Sequence, residues 1–494
     1  IVITPQARQL HAFAPQDFRD HMRDAFDRRV VHISSIQDGA IRIGLGWSGV
    51  GRPGGRVYGV EACTKAHNDI TAAAETSLCH DLSRFSRHSL IEAAVRNHEA
   101  AAIDARRWRK TAGAMIALSH DEAAMRSEIA ETLFRLNGVS LACRLLMEIG
   151  LHHCPEKSDL EVGDIDLSRL MARAMMIVHL GGYSDAIRYG AMKPELRISP
   201  AGEVQIDVTF FEGIMDPLGL DFANGQVDRE RAAYAESLRE PEIADESKNQ
   251  DGDAEFDAAW EEELGASLCA YRSTMDELEH LCIKQGQSWV ILPRAELITC
   301  LETEGATAVL ENLESVPRAD WKVVPQGYDD ADRQPWRYRR RLSIARRPLI
   351  RLGTGHEANV LVAPGMIRES LSATVHNMYE GHYEQQRLSS RKMRRWADKA
   401  SNANGPEFEE DVAHQLQTLG WSVRRGIKFG EILGRDPEED HGDIDVLAWQ
   451  NDSLIVLLEC KHLQFAKTPS EIAKQLSKFR GEVDAKGRPD LLAK

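Results

Sequence analysis

Gly442-Asp443-Ile444-Asp445-Val446-Leu447-Ala448 and, after a short turn, Leu454-Ile455-Val456-Leu457-Leu458-Glu459-Cys460-Lys461 are the stretches that decide how the end of this chain folds. Side chains alternate across a β-strand, so Ile444, Val446 and Ala448 share one face while Asp443 and Asp445 share the other. In the second stretch, residues 454–458 are apolar at every position, the pattern of a central strand covered on both faces. Glu459 and Lys461 then share a face, with Cys460 turned away.

Working outward, 494 residues are too many for one core, and two to four domains are expected. A hydrophobic content of 43% and a charged content of 28% are ordinary for a globular protein. No run approaches the ~20 apolar residues of a membrane span, and the first residues lack the pattern of a signal peptide. The start at Ile1 rather than Met suggests trimming or a longer parent protein. The 8 cysteines show no Cys-x-x-Cys and no repeated spacing, so a cytoplasmic protein with reduced thiols is expected. The net charge of −16 hides a reversal, because residues 321–400 carry 16 Lys/Arg against 8 Asp/Glu. A local field of that sign suits a polyanion better than the whole-chain sum suggests.

Three folded regions follow from the patterning. Residues 1–238 open with strand-like Val30-Val31-His32-Ile33 and a glycine-rich loop. They continue as amphipathic helices at 111–119, 121–136 and 167–179, with Gly138, Gly150 and Gly181-Gly182 as expected stops. Residues 239–263 are acidic and poor in apolar side chains, and read as a solvated linker. Residues 264–400 form a mixed α/β domain with the basic run Arg337-Tyr338-Arg339-Arg340-Arg341 and a basic helix over 387–399. The last region, 401–494, starts at a polar hinge with Pro406 opening a helix. The fold class expected is therefore multidomain: a mainly α N-terminal region, a mixed α/β middle domain and a C-terminal α/β domain.

The chemistry concentrates in that last region. Residues 407–419 form a helix with Phe408, Val412, Leu416 and Leu419 on one face, Glu409 beside it and Gly420 as its stop. Carboxylates and an ammonium at the end of a buried strand are costly unless each has a partner. A hard cation bridging Asp445 and Glu459 would neutralise both, leaving Lys461 to meet a phosphate or an attacking water. Asp443 is a substitute ligand.

This ordered set resembles the PD-(D/E)XK, or restriction endonuclease-like, nuclease superfamily, in the branch of Mrr-like enzymes and Holliday-junction resolvases. The resemblance rests on Phe408-Glu409, Gly420-Trp421, Asp445 before short apolar residues, and Glu459-Cys460-Lys461. It implies a mixed central sheet flanked by helices and a Mg²⁺- or Mn²⁺-dependent deoxyribonuclease. Asp445 and Glu459 would be metal ligands, Lys461 would position water, Glu409 would be an auxiliary acid, and Gln475 the glutamine of the following helix. No Pro precedes Asp445, and the stop at Lys494 suggests a truncated domain. A large front end on such a module implies a restriction or anti-phage effector whose partner is DNA, either as a homo-oligomer or with a partner protein. The rival is a non-catalytic DNA-binding or scaffold protein on the same fold.

Other signals are weaker. Gly-Asp-Ile-Asp also occurs at 163–166, ahead of a helical pattern where an Asp suits a cap. The glycines at 44–55 lack the Gly-Lys-Ser/Thr of a phosphate loop. Cys63, His67, Cys79, His80, His152, His153 and Cys154 lack paired ligand spacing. Arg337, Arg339, Arg340 and Arg341, interleaved with Trp336 and Tyr338, are read as a nucleic-acid contact, with an edge hairpin as the alternative.

Overall fold

A computed structural model describes residues 29–33, 55–207, 250–318, 320–337, 340–353, 358–382, 387–434, 443–450, 454–460 and 468–477, with isolated positions between 209 and 225. In chain order the elements are β1 (Gly55–Tyr58), α1 (Val60–Leu82), α2 (Arg87–Leu118), α3 (Glu122–His153), α4 (Asp164–Arg188), β2 (Glu195–Ile198), β3 (Val204–Ile206), α5 (Gln250–Leu264), α6 (Leu268–Lys284), β4 (Val290–Pro293), α7 (Arg294–Thr299), α8 (Ala306–Leu313), β5 (Ile350–Leu352), β6 (Asn359–Val362), α9 (Pro364–Tyr379), α10 (Arg391–Thr418), β7 (Ser422–Lys428), α11 (Phe429–Leu433), β8 (Asp443–Gln450), β9 (Leu454–Leu458) and α12 (Pro469–Leu476). They divide into two compact units that interleave in sequence. One comprises 1–244, 270–371 and 466–494, and the other 245–269 and 372–465.

The first unit is a bundle of α1–α4 whose core also takes in Trp321, Ile344, Ile350, Leu361 and Met366 from the middle of the chain. The expected boundary between 1–238 and a separate domain at 264 is thus not where the chain divides. Buried carboxylates explain the merger. Glu99 of α2 accepts the N–H groups of Gly365 and Met366 at 2.7 and 3.1 Å, capping the start of α9. Glu148 of α3 accepts the Ile344 N–H at 2.9 Å and pairs with Arg340. β4, β6 and β5 form an antiparallel sheet in this unit, and β1–β2–β3 another. Val30 to Ile33 is extended chain rather than a strand, with Val31 bonded through both backbone groups to the Asn97 side chain.

The glycines expected to stop helices do not. α3 runs through Gly138 and Gly150, and α4 through Gly181 and Gly182. Two of them permit close approach: a Cβ on Gly150 would lie 2.2 Å from Leu90, and one on Gly181 would lie 2.2 Å from the Trp336 ring. The tetrapeptide at 163–166 opens α4 as expected, with Asp166 accepting the Gly163 N–H.

In the second unit the acidic stretch read as a linker becomes helix α5 from Gln250 onward. Phe256, Ala259 and Trp260 recur at helical spacing and are buried. Phe256 and Trp260 join an aromatic cluster with Tyr379 and Trp396. The acids of α5 also have a local use, because Glu262 and Glu263 accept the N–H groups of residues 389–392, the entry to α10. The hinge expected at 401–406 is absent: α10 is continuous and carries Pro406 in its interior. From Gly420 the chain enters the antiparallel sheet β7–β8–β9. The mixed central sheet implied by the resemblance is, among the described residues, this three-stranded meander. β8 is its middle strand, and β9, expected to be central, lies at its edge with Ile455 69% and Leu457 53% exposed.

Replacing Gly181 by Ala should cost about 1–3 kcal/mol through overpacking against Trp336. Gly138→Ala, whose Cβ meets nothing within 4 Å, should gain up to about 1 kcal/mol of helix propensity. Urea unfolding of the two variants reads the difference, and equal stabilities would contradict this packing.

Candidate functional site

Two strands bring the acidic residues together. Helix α10 covers one face of the sheet, where Ala413, Val446 and Cys460 are buried with Phe408, Val412, Leu416, Val423 and Leu458 packed around them. Asp445 alternates onto the opposite face of β8, between buried Ile444 and Val446. The register pairs Val446 with Leu458, so one step further along it sets Glu459 across from Asp445. Directly opposed residues of an antiparallel pair have their Cβ atoms roughly 4.5–5.5 Å apart on one face.

The ladder itself ends one step earlier, at Val446–Leu458. β9 stops at Leu458, and the Asp445 carboxylate reaches over to accept the Cys460 N–H at 2.5 Å. That bond orients the carboxylate and takes one of its oxygens. On the other side of Asp445, the β7 register sets Gly426 opposite it. Gly426 has φ +59 and, among the described residues, nothing within 4 Å of a would-be Cβ, so it sets no side chain of its own against Asp445. Asp443 lies two residues before Asp445, exposed and paired in register with Lys428.

The remaining sequence-derived residues separate. Glu409 is on α10 beside Phe408, whose ring packs on the Val446–Cys460 face, whereas Asp445 and Glu459 alternate onto the other face. Lys461 and Arg339 lie outside the described residues. Gln475 belongs to the first unit: its helix α12 buries Ile472 and Ala473 in the bundle core and is pinned to α4 by Ser470 and Asp185. Among the described residues, no group of three or more His, Cys, Asp or Glu is placed to hold a metal ion by itself. His67 is fully buried, and burial pushes its imidazole down to about 4, so it is neutral in the bundle.

A family model described as the Upx-like anti-phage protein matches residues 1–494. The chain belongs to the Upx-like anti-phage protein family. No curated protein and no solved structure matches it. The match supports the expected role in anti-phage defence. Among the described residues, no helix of this Upx-like protein is long and apolar enough to cross a membrane.

In the Upx-like chain the basic run around Trp336 is engaged within its own unit. Arg340 is 5% exposed and meets Glu148, and Arg337 lies 3.7 Å from Asp185. Arg341 forks onto Asp332 at 2.9 and 2.6 Å. The alternation of Arg with aromatic residues signals these packing pairs as readily as a phosphate contact. Residues that sequence reasoning missed are Glu99 and Glu148, since a carboxylate inside an amphipathic helix gives no sign of burial.

Burial works to raise the Asp332 carboxyl. The side-chain and backbone bonds from Arg341 and the Asp329 N–H outweigh it and bring it down to about 2. A carboxyl near 3.9 in the unfolded chain then contributes stability that is complete above about pH 4 and is lost as the pH falls toward 2. Acid unfolding should show this as a loss on the order of 2 kcal/mol that is missing from Asp332→Asn. Parallel curves for the two proteins would contradict the pairing.

Proposed function

We propose that this Upx-like protein is a metal-dependent deoxyribonuclease, an anti-phage effector that hydrolyses DNA phosphodiester bonds at Asp445 and Glu459. What supports the reading is that Asp445 and Glu459 adjoin the Val446–Leu458 pair that ends the β8–β9 ladder, and that the Asp445 carboxylate accepts the Cys460 N–H. Two hard oxygen donors without a third protein ligand fit Mg²⁺ or Mn²⁺, which use one or two carboxylates and complete their shell with water and phosphate oxygens. Asp445 and Glu459 would hold the ion, and when bound it would supply a nucleophile at neutral pH and charge stabilisation on the phosphoryl group. The Cys460 N–H fixes the Asp445 carboxylate, and Gly426, with no side chain opposite it, would leave room for the phosphate. Lys461, two residues beyond Glu459, would meet the phosphate or the water.

One observation favours a second reading. The Asp445–Cys460 bond is also what a strand-end cap would make. On that account the fold grips DNA or a partner protein without cleaving.

Supercoiled plasmid incubated with the full chain and Mg²⁺ or Mn²⁺ separates the two. Nicking or linearisation should be abolished by EDTA and reduced by on the order of a hundredfold or more in Glu459→Gln and Asp445→Asn. Phage protection of cells should fall in parallel. Cleavage that survives both controls would refute the site. Full phage protection by variants that cannot cleave would favour the second reading.

A further inference from the structure

The reverse face of the β7–β8–β9 sheet carries exposed apolar side chains. α10 takes the Val446 side, and on the other side Ile455 and Leu457 are 69% and 53% exposed. The register sets them against Trp449 and Leu447, both half-buried, so the four make an apolar patch two strands wide. Large exposed apolar side chains gathered in one patch mark a binding surface. On β7 the same face carries Arg424, opposite Leu447 and in an exposed ion pair with Glu431 at 3.5 Å, and Lys428, opposite Asp443, both exposed. The patch runs directly into the Asp445–Glu459 rung, and the two cations stand on either side of Gly426.

We propose that this face is a platform for single-stranded DNA, with Arg424 and Lys428 on the phosphates and unpaired bases lying on Trp449, Leu447 and Leu457. The platform rests on the nuclease reading only for what happens at the acidic rung. The argument for an unpaired strand is one of distance. Same-face residues along a strand are roughly 7 Å apart, so the apolar surface begins one such step from Asp445 and Trp449 lies two steps away. In a duplex the bases next to a phosphate are paired and stacked inside, and the surface presented is charged backbone and groove edges. An apolar sheet that close to the phosphate would then be dehydrated against charge. Unpaired bases instead offer π-faces that an aromatic and aliphatic surface accepts without regard to sequence. A protein partner would use the apolar patch but gives no reason for two cations beside a carboxylate pair.

The test is fluorescence anisotropy of the full chain with a labelled oligothymidylate and with a hairpin duplex of equal length, in EDTA so that binding is read without hydrolysis. Wild type should prefer the single strand. The Ile455→Ser/Leu457→Ser variant, altered at exposed positions, should lose about tenfold in single-strand affinity while duplex binding is unchanged. Lys428→Ala should lower the salt slope on the single strand by roughly 0.7. Equal affinity of wild type for both forms would overturn the proposal. So would unchanged single-strand binding by the double Ser variant, or a change confined to its sedimentation as a dimer or complex. If the Ser variant loses single-strand binding while Asp445→Asn and Glu459→Gln still cleave, the platform stands and the nuclease assignment falls. If the Ser variant binds normally while the acid variants lose cleavage, the nuclease assignment stands and the platform falls.

Discussion

Glu99 and Glu148 sit inside a helical bundle, 1% and 2% exposed, and each directs its charge onto backbone N–H groups from a segment some two hundred residues or more further along the chain. A carboxylate in that position is tolerable only when its lone pairs are filled. The N–H groups of Ile344, Gly365 and Met366, with the Arg340 guanidinium, fill them. Removing the middle segment would leave two bare charges in the core, and removing the bundle would leave the entry to α9 uncapped. The first unit is discontinuous in sequence because these bonds make the two stretches one object.

Much of the local structure is legible in the residues. Period-two alternation gives β8 with Asp445 on the face opposite Val446, and period-four spacing gives α3 and α4. Expectation and structure part where tertiary packing reverses a local rule. Gly150 and Gly181 look like helix stops by propensity, yet they are the points where Leu90 and Trp336 need the space of a side chain. The acidic stretch from Gln250 looks solvated by composition, yet three apolar residues at helical spacing suffice to bury one of its faces. Apolar content alone makes β9 look central. Exposure depends on what covers a strand, and no pattern within the strand encodes that.

The candidate site shows the same division. The two carboxylates on one face are readable because strand geometry is fixed within a few residues. That Gly426 lies opposite Asp445 requires the β7 register. The fate of the arginines requires the whole unit: Arg340 and Arg341 are drawn inward by Glu148 and Asp332, which lie 192 and 9 positions away. Family membership places the chain in anti-phage defence, and the rung at the end of β8 is where its chemistry is proposed to reside.

The continuity of α10 bears on modularity. At 28 residues it is a rod of roughly 42 Å. Its first turns lodge Trp396 among Phe256, Trp260 and Tyr379, and its last turns supply Ala413 and Leu416 to the sheet. Among the described residues, the sheet side buries Ile427, Ile444, Val446, Ala448 and Cys460. One continuous helix thus joins the sheet to the aromatic cluster at its other end. A cut at residue 401, where the sequence invites one, would divide the rod and strand its sheet-bearing half without an anchor. The sheet is a terminus of this scaffold and not a cassette that could be lifted from it.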